Sequence, residues 1–173
     1  MSKHRSSTTH RRKIAIATLA VAAVGVPSAA MASQSAAPAG SPSATSAAAT
    51  DQQEVVDLVN SERDKAGCEP LTVNEKLTKA AQDHSEDMAA HGNMSHTGSD
   101  GSSPGDRIER AGYSWSGYGE NVAYGYDSPK SVMEGWMNSS GHKANILNCD
   151  FKEIGVGLAQ PGNYWTQDFG TAR

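Results

Sequence analysis

Three side chains in the later part of the chain carry groups that bind metals and move protons: His96, Glu120 and His142. The glutamate lies in Gly119–Ala123, a glycine-flanked segment with β-strand character, 24 residues after His96 and 22 residues before His142. An ionised carboxylate inside a folded domain needs a cation, a metal or several hydrogen bonds. Two histidines from separate elements supply that compensation, so we expect the three side chains to meet in one cleft.

Two neutral imidazoles and a carboxylate form a ligand set that suits a borderline divalent cation, zinc above all. We therefore predict His96, Glu120 and His142 as metal ligands, with a fourth position for water or a ligand. Two other interpretations stay open. In one, the histidines hydrogen-bond the glutamate in a metal-free polar network that fixes the loops. In the other, Glu120 polarises one histidine while the second moves a proton.

The other histidines and the serines add little chemistry to this set. Ser95 adjoins His96, but neighbours in a loop seldom point at each other, and no G-x-S-x-G sequence occurs, which argues against a serine nucleophile. His84 lies on an apolar helix face and is interpreted as a hydrogen-bonded core residue. His91, at a helix end, is expected in solvent. Arg107 is interpreted mainly as part of a solvated charged face, with the alternative that Asp106 and Arg107 fix the loop.

Residues 1–32 have the pattern of a secretory signal peptide. Five basic residues precede the apolar run Ile14–Val26, which is too short to span a bilayer, and Ala30–Ala32 is an A-x-A cleavage site. We predict cleavage after Ala32. The predicted product is a secreted, extracellular protein without a stable membrane anchor.

Residues 33–50 consist almost entirely of Ser, Ala, Pro, Gly, Thr and Gln, so a disordered linker is predicted there. Residues 51–173 are then one folded domain of ordinary size. Without residues 1–32, the chain keeps 10 basic and 19 acidic residues, a net charge of −9. Such a charge repels nucleic acids and anionic membranes, and nucleic acid is not expected as a partner.

The chain contains two cysteines, Cys68 and Cys149. An even number of cysteines in an exported chain favours a disulfide over a reactive thiol. A bond between them closes a loop of roughly 80 residues and stabilises the fold by about 4 kcal/mol in the chain-entropy view. It would tie the end of the first helix to the segment after His142.

Apolar periodicity and capping residues predict helices around a small antiparallel sheet, an α+β sandwich. Trp136 is expected in the core. Five helices are predicted, over these ranges: Asp51 to near Gly67, Asn74 to Gly92, Pro104 to about Ala111, from Ser128-Pro129 onward, and a short helix that starts at Ser139-Ser140-Gly141. A hairpin is predicted from two β-rich runs, Ile154–Ala159 and Tyr164–Phe169.

Five motifs in this order define a recognisable pattern: Met94–Gly98, Gly119–Ala123, Trp136, Gly141–Leu147 and Ile154–Gly157. In order and spacing they resemble the CAP superfamily (cysteine-rich secretory proteins, antigen 5 and pathogenesis-related 1), also called SCP, in its bacterial secreted form. The resemblance covers about residues 54 to 170. It implies a three-layer α-β-α sandwich for the domain at 51–173, a central cleft and an extracellular location.

The resemblance also implies a cleft tetrad of two histidines and two acidic residues that binds divalent metal in some members. His96, Glu120 and His142 match the first histidine, the first glutamate and the second histidine. The second glutamate lies three residues after the helical tryptophan in plant and animal members, and that position is Ser139 here. The departure favours an open three-residue site or a metal-free network.

Members of the family share no single reaction, and have been described as lipid binders, defence proteins, toxins and occasional proteases. We predict a monomeric secreted protein whose cleft binds a divalent cation, or a ligand through it, without turnover. One alternative is a metal-assisted extracellular hydrolase, a peptidase or esterase. The other is a module that binds a lipid, a small molecule or a protein surface. The aromatic residues that favour this last alternative are Tyr113, Trp115, Tyr118, Tyr124 and Tyr126.

Overall fold

A computed structural model describes residues 44–173. The predicted signal peptide and residues 33–43 of the predicted linker lie outside the described residues. The described part contains five helices and four strands: α1 (Ala44–Ala66), β1 (Thr72–Val73), α2 (Glu75–His91), α3 (Pro104–Arg110), β2 (Trp115–Tyr124), α4 (Pro129–Met137), α5 (Ser140–Ile146), β3 (Glu153–Ala159) and β4 (Tyr164–Ala172). The α+β prediction is therefore confirmed.

The four strands form one sheet in the order β1-β3-β4-β2. Strand β4 pairs antiparallel with both β3 and β2, and the predicted hairpin of β3 and β4 is present. The prediction of a wholly antiparallel sheet is wrong in one respect: the two-residue strand β1 runs parallel to β3. Helices α2 to α5 lie between these two strands in the chain, and long connections of this kind permit parallel pairing.

The sheet is covered by helices on both faces. Helix α2 packs so closely on β3 that a Cβ atom at Gly155 would lie 2.0 Å from the backbone nitrogen of Thr78, and one at Gly157 would lie 2.3 Å from the backbone oxygen of Ala81. The other face carries the main core, which contains Val55 of α1 and a fully buried Trp136 of α4, as predicted. Together the layers form an α-β-α sandwich.

Helix α1 begins at Ala44, seven residues before the predicted cap at Asp51. It therefore includes residues 44–50, which the composition had assigned to a disordered linker. Alanine is the strongest helix former, and the Ala-rich segment extends a helix that Val55 and Val59 already anchor to the core. Ala48 packs against that core as well.

Local capping chemistry sets the starts of α2, α3 and α4 as predicted, whereas the predicted cap of α5 at Ser139 makes no side-chain hydrogen bond. Asn74 accepts hydrogen bonds from the backbone nitrogens at the start of α2, and Gly92 ends that helix with a φ of +59°. Ser103 and Ser128 each form a capping box before a proline. No helix within residues 44–173 is long and apolar enough to cross a membrane.

The disulfide between Cys68 and Cys149 is present, as predicted. It connects the chain just after α1 to the loop that follows α5. The bond therefore restrains the segment that carries His142, because α5 begins at Ser140 and ends three residues before Cys149.

Arg63 of α1 is fully buried beside this disulfide-linked loop. Its guanidinium donates to the backbone oxygens of Glu69 (3.0 Å), Ile146 (2.9 Å), Asn148 (2.8 Å) and Phe151 (3.1 Å). Burial lowers the pKa of Arg63 from its ordinary value. Four carbonyl dipoles thus hold a buried cation, and three of them fix the chain from the end of α5 to the start of β3.

Candidate functional site

Strand β2 places Glu120 on the face of the sheet that packs against α2 and α3. Its side chain is only 2% exposed. Opposite it in the β2–β4 register lies Asp168, and Gly155 of β3 continues the same row. Alternation along the strands turns the neighbouring residue, Asn121, to the opposite face, where it contacts α5.

Both oxygens of Glu120 accept hydrogen bonds. His96 donates from Nδ1 to Oε1 at 2.7 Å, and Arg107 donates from Nη2 to Oε2 at 2.5 Å. The bond to Glu120 raises the pKa of His96 above its ordinary value of 6.5, because the carboxylate stabilises the imidazolium form. The buried carboxylate is therefore compensated by two positively charged or polarisable partners, and the predicted contact between His96 and Glu120 is present.

Arg107 is not part of a solvated charged face, as its helical neighbours had indicated; it is buried, with an exposed fraction of 7%. Besides Glu120, it donates to the backbone oxygens of His96 (3.0 Å) and Ser102 (2.9 Å). One guanidinium thus fixes both the carboxylate and the loop that carries His96. The loop has few apolar side chains, so these charge-assisted hydrogen bonds give it its shape.

His84 of α2 is fully buried on the other side of Glu120. Its Nε2 donates to the backbone oxygen of Ser95 at 2.8 Å and lies 4.0 Å from Oε2 of Glu120. Burial lowers the pKa of His84, because the interior disfavours its charged form. The structure thus confirms His84 as a hydrogen-bonded core residue, and His91 is exposed as expected.

Asp168 is fully buried beside Glu120. Burial first, and then the negative charge of Glu120, raises the pKa of Asp168 well above its ordinary value of 3.8. Two adjacent carboxyl groups in a closed space do not both ionise readily. The neutral acid is therefore the form of Asp168 that this position favours.

Helix α5 brings His142 to the edge of β2 through two asparagines. Asn121 donates to the backbone oxygen of His142 at 3.1 Å, and Asn145 donates to the backbone oxygen of Glu120 at 3.1 Å and to Oδ1 of Asn121 at 2.8 Å. The imidazole of His142 is half-buried. The pKa of His142 is lowered, first by burial and then by the charge of His96.

The position that the resemblance assigns to a second glutamate holds no carboxylate. Ser139 occupies the N-cap position of α5, and its side chain makes no capping hydrogen bond there. Glu134, on α4, is exposed and lines a separate groove with Leu58 and Lys130. Neither residue therefore adds a carboxylate to the group around Glu120.

The side chains around Glu120 are held by hydrogen bonds to this carboxylate and to backbone oxygens. Across residues 44–173, no three or more His, Cys, Asp or Glu side chains are grouped to hold a metal ion. Within the same residues, the imidazole hydrogen bonds of His84, His91 and His96 go to backbone oxygens or to Glu120 and never to a serine hydroxyl. The three-ligand set of His96, Glu120 and His142 therefore stays a prediction, with Glu120 already bound at both oxygens.

Sequence reasoning missed Asp168, Asn145 and the contact of Arg107 with Glu120, although it allowed that Arg107 could fix the loop. Because a buried carboxylate needs a positively charged partner, Glu120 itself indicated that an arginine could lie beside it. Asp168 stands in a period-2 row with Thr166 and Gly170. Since both faces of the sheet are covered, alternation alone did not reveal which face was polar.

The sequence of this chain is similar to those of known proteins. Residues 56–169 match the sequence model of CAP, the cysteine-rich secretory protein family. The chain is 42% identical over 127 residues to the uncharacterized protein YkwD of Bacillus subtilis (strain 168), an alignment that covers 73% of this chain and 49% of YkwD. This chain thus spans about half the length of that relative.

Solved structures share the fold. An extracellular protein containing a SCP domain, from Bacillus anthracis, matches with a TM-score of 0.70 at 29% identity, over 73% of this chain and 42% of that chain. An outer surface protein of Borrelia burgdorferi matches with a TM-score of 0.68 at 23% identity, over 72% of this chain and 94% of that chain. At the latter identity the likeness concerns the fold alone.

Proposed function

Starting from the fact that the chain belongs to the CAP (cysteine-rich secretory protein) family, we propose that it is an extracellular binding protein. Its cleft binds a divalent cation, zinc in preference, between His96 and His142, and holds a ligand through that cation without turnover. The observation that carries the proposal is the hydrogen bond of 2.7 Å from Nδ1 of His96 to the buried Glu120.

This hydrogen bond fixes the ring of His96 in the way that metal-binding histidines require. A histidine that ligates metal through one nitrogen commonly donates its other N–H to a carboxylate, which sets the tautomer and the ring orientation. Glu120 is itself held by Arg107, so the support is rigid. Nε2 of His96 is then the nitrogen that meets a cation, and the role of Glu120 is orientation rather than ligation.

His142, on α5, supplies the second nitrogen ligand in this proposal. His142 is half-buried, and hydrogen bonds of Asn121 and Asn145 connect α5 to β2, the strand that carries Glu120. Two imidazoles fit a borderline cation such as zinc, and water or an external ligand completes the coordination. A cation held by two protein ligands is exchangeable, which suits a binding protein better than a structural metal centre.

The location is inferred from three features. The predicted signal peptide at residues 1–32 directs export, and the Bacillus anthracis protein with the same fold is described as extracellular. A disulfide between Cys68 and Cys149 is also typical of proteins in oxidising compartments.

A second candidate function is metal-assisted hydrolysis. A cation held by two side chains keeps positions for water, which zinc can activate for attack on a peptide or ester. Screening against peptide and ester substrates, with and without a chelator, tests this candidate. Chelator-sensitive activity that disappears in His142→Ala supports hydrolysis, and activity that survives in His142→Ala refutes it.

Zinc titration by calorimetry tests the main proposal. We expect one zinc ion per wild-type chain, and an affinity at least about tenfold lower in His96→Ala and in His142→Ala, since each removes one ligand. His91→Ala is the matched control, because His91 is exposed at the end of α2 and its loss should leave binding unchanged. Absence of zinc binding in the wild type, or unchanged binding in both variants, contradicts the proposal.

A further inference from the structure

Strand β2 forms one edge of the sheet, because it pairs with β4 on one side only. Its backbone oxygens at Glu120 and Val122 accept hydrogen bonds from Nδ2 of Asn145 (3.1 Å) and Nε1 of Trp136 (3.3 Å). These donors are on α5 and α4, so both carbonyls point away from β4. In an antiparallel pair every second residue faces away from the neighbouring strand. Tyr118, two residues before Glu120, therefore also directs its backbone N–H and C=O outward.

Side chains close other open positions of the sheet edges but leave Tyr118 free. On β3, where β1 pairs with only two residues, Gln82 accepts from the backbone nitrogen of Leu158 (3.1 Å) and donates to its backbone oxygen (3.0 Å). Within residues 44–173, no side chain makes a hydrogen bond of this kind to the backbone of Tyr118. Tyr118 is 37% exposed, and Ser116 is exposed beside it. Open edge groups of this kind permit strand addition, in which an extended peptide pairs with the sheet.

A pocket of about 370 Å³ adjoins the same edge. Gly117 and Thr171 line it from the sheet, and Asp150 and Phe151 line it from the loop before β3. By alternation along β2, Gly117 lies on the face of the sheet that carries α5. A Cβ atom at Gly117 would have no other atom within 4 Å, so the space above this residue is open. A strand paired with β2 would direct every second side chain to this face and into the pocket.

We propose that the edge of β2 at residues 116–118 binds an extended, basic peptide segment of another protein. The peptide pairs with the backbone of Tyr118 and places a Lys or Arg side chain in the adjoining pocket. The proposal goes beyond cation binding and does not depend on it.

The charge of the chain and of the pocket selects a basic partner. Residues 33–173 carry 10 basic and 19 acidic residues, a net charge of −9, which attracts cationic partners and disfavours pairing with a second copy. Asp150 is the one charged residue that lines the pocket, and it is exposed. Phe151 provides an apolar wall for the methylene groups of a Lys or Arg side chain.

The basic side chains near this edge do not occupy the pocket. Lys152 donates to the backbone oxygen of Cys149 at 2.9 Å. The guanidinium of Arg173 lies over the ring of Trp115, which packs with the cluster of Leu77 on the other face of the sheet. The carboxylate of Asp150 forms no ion pair within residues 44–173.

The test is an NMR titration of the ¹⁵N-labelled protein with the hexapeptide (Thr-Lys)₃, blocked at both ends. A chelator in the buffer keeps the result independent of the proposed cation site. We expect saturable shifts of the amide signals of residues 116–118 and 148–151, with a dissociation constant below about 1 mM. Asp150→Asn should weaken binding about threefold, the effect of one exposed charge pair.

Two substitutions at Tyr118 separate strand pairing from simple charge attraction. Tyr118→Pro and Tyr118→Val both remove the ring, but only proline removes the outward N–H. Because this N–H does not face β4, the proline leaves the pairing of β2 with β4 intact. Tyr118→Pro should bind at least about fivefold more weakly than Tyr118→Val, the effect of one lost hydrogen bond. Equal binding by the two variants overturns strand addition.

A blocking variant tests the pocket without changing the backbone of Tyr118. Gly117→Phe fills the pocket and should abolish the shifts, whereas Thr72→Phe, at an exposed position of β1, should not. The proposal is overturned if the peptide produces no saturable shifts, or if Gly117→Phe binds as the wild type does. Equal binding of (Thr-Glu)₃ overturns the choice of a basic peptide. Concentration-dependent shifts of the Tyr118 amide without peptide, together with a dimer in sedimentation, overturn it in favour of a second copy.

Discussion

Arg63 and Arg107 are both buried, but they hold opposite parts of the molecule in different ways. Arg63 donates to four backbone carbonyls, and within residues 44–173 it forms no ion pair with a carboxylate. Arg107 donates to the carboxylate of Glu120 and to two carbonyls of the loop around His96. The first arginine fixes backbone alone, whereas the second also positions the side chain that orients an imidazole.

The contrast between the two arginines shows how the fold separates stability from function. Carbonyl dipoles are fixed in place by the helices and loops that carry them, so Arg63 fixes the chain near the disulfide. A carboxylate partner carries a full charge, so Arg107 controls the electrostatics of Glu120 and, through it, those of His96. We therefore expect that loss of Arg63 affects mainly the free energy of unfolding, and that loss of Arg107 affects zinc binding as well.

The largest expected effect is that of Arg63→Met. The substitution leaves four buried carbonyl groups without their donor, so the free energy of unfolding should fall by about 3 kcal/mol or more. Denaturant unfolding of the oxidised protein measures this change. Lys65→Met is the control, because Lys65 is on the same helix with a side chain 64% exposed, and its loss should change stability by less than about 0.5 kcal/mol. A loss below about 1 kcal/mol for Arg63→Met contradicts the structural role of Arg63.

Arg107→Met should destabilise the protein by about 2–3 kcal/mol and weaken zinc binding by at least about tenfold, because Glu120 is left buried without its cation. The double variant Arg107→Met/Glu120→Gln should recover about 1 kcal/mol or more, since the uncompensated charge is gone. Chemical denaturation and calorimetry measure the two effects. A double variant that is less stable than Arg107→Met alone would contradict the claim that Arg107 stabilises the protein by compensating the charge of Glu120.

Zinc binding should depend on pH through His96. The hydrogen bond to Glu120 raises the pKa of His96, so this ring keeps its proton to a higher pH than an ordinary histidine. Because zinc binds the neutral ring, its affinity should fall by up to about tenfold per pH unit below that pKa. In Glu120→Gln the pKa of His96 should move down towards 6.5. The pH below which zinc affinity starts to fall should then move down by the same amount. Calorimetry at several pH values checks the shift, and no change in that pH contradicts it.

The smallest effect is expected for Asp168→Asn. The raised pKa of Asp168 means that the folded protein binds a proton that the unfolded chain releases, so stability falls as pH rises from about 3.8 towards that pKa. An amide does not titrate and keeps the shape of the acid. The variant should therefore equal the wild type at pH 7 or exceed it by about 1 kcal/mol. A loss of more than about 1 kcal/mol at pH 7 would show that the ionised form is required.

Features set by neighbouring residues were predictable from the sequence, and so were two long-range contacts for which the sequence offers few chemically suitable partners. Asn74, Ser103 and Ser128 begin helices because their side chains bond backbone groups two or three residues away. The contact between His96 and Glu120 was expected from the demand of a buried carboxylate, and the structure contains it. The disulfide followed from the even number of cysteines in an exported chain.

Other features that depend on distant partners were not predictable, because many residues could have filled the same role. Arg107 is on a seven-residue helix, which is too short for periodicity to separate a buried face from an exposed one. Its burial is decided by Glu120 on another element. Asp168 meets Glu120 only through the register of β2 and β4, which no local pattern specifies. The helical start at Ala44 was missed because the residues of a linker and of an Ala-rich helix overlap in type.

The most direct test of the proposed cation site is a crystal structure grown with zinc and examined by anomalous scattering at the cleft. We expect a zinc peak about 2.0–2.1 Å from Nε2 of His96 and from a ring nitrogen of His142, with Glu120 still bound to Nδ1 of His96 and to Arg107. An empty cleft at saturating zinc would refute the site. So would a zinc ion ligated directly by Glu120 with the hydrogen bond to His96 broken.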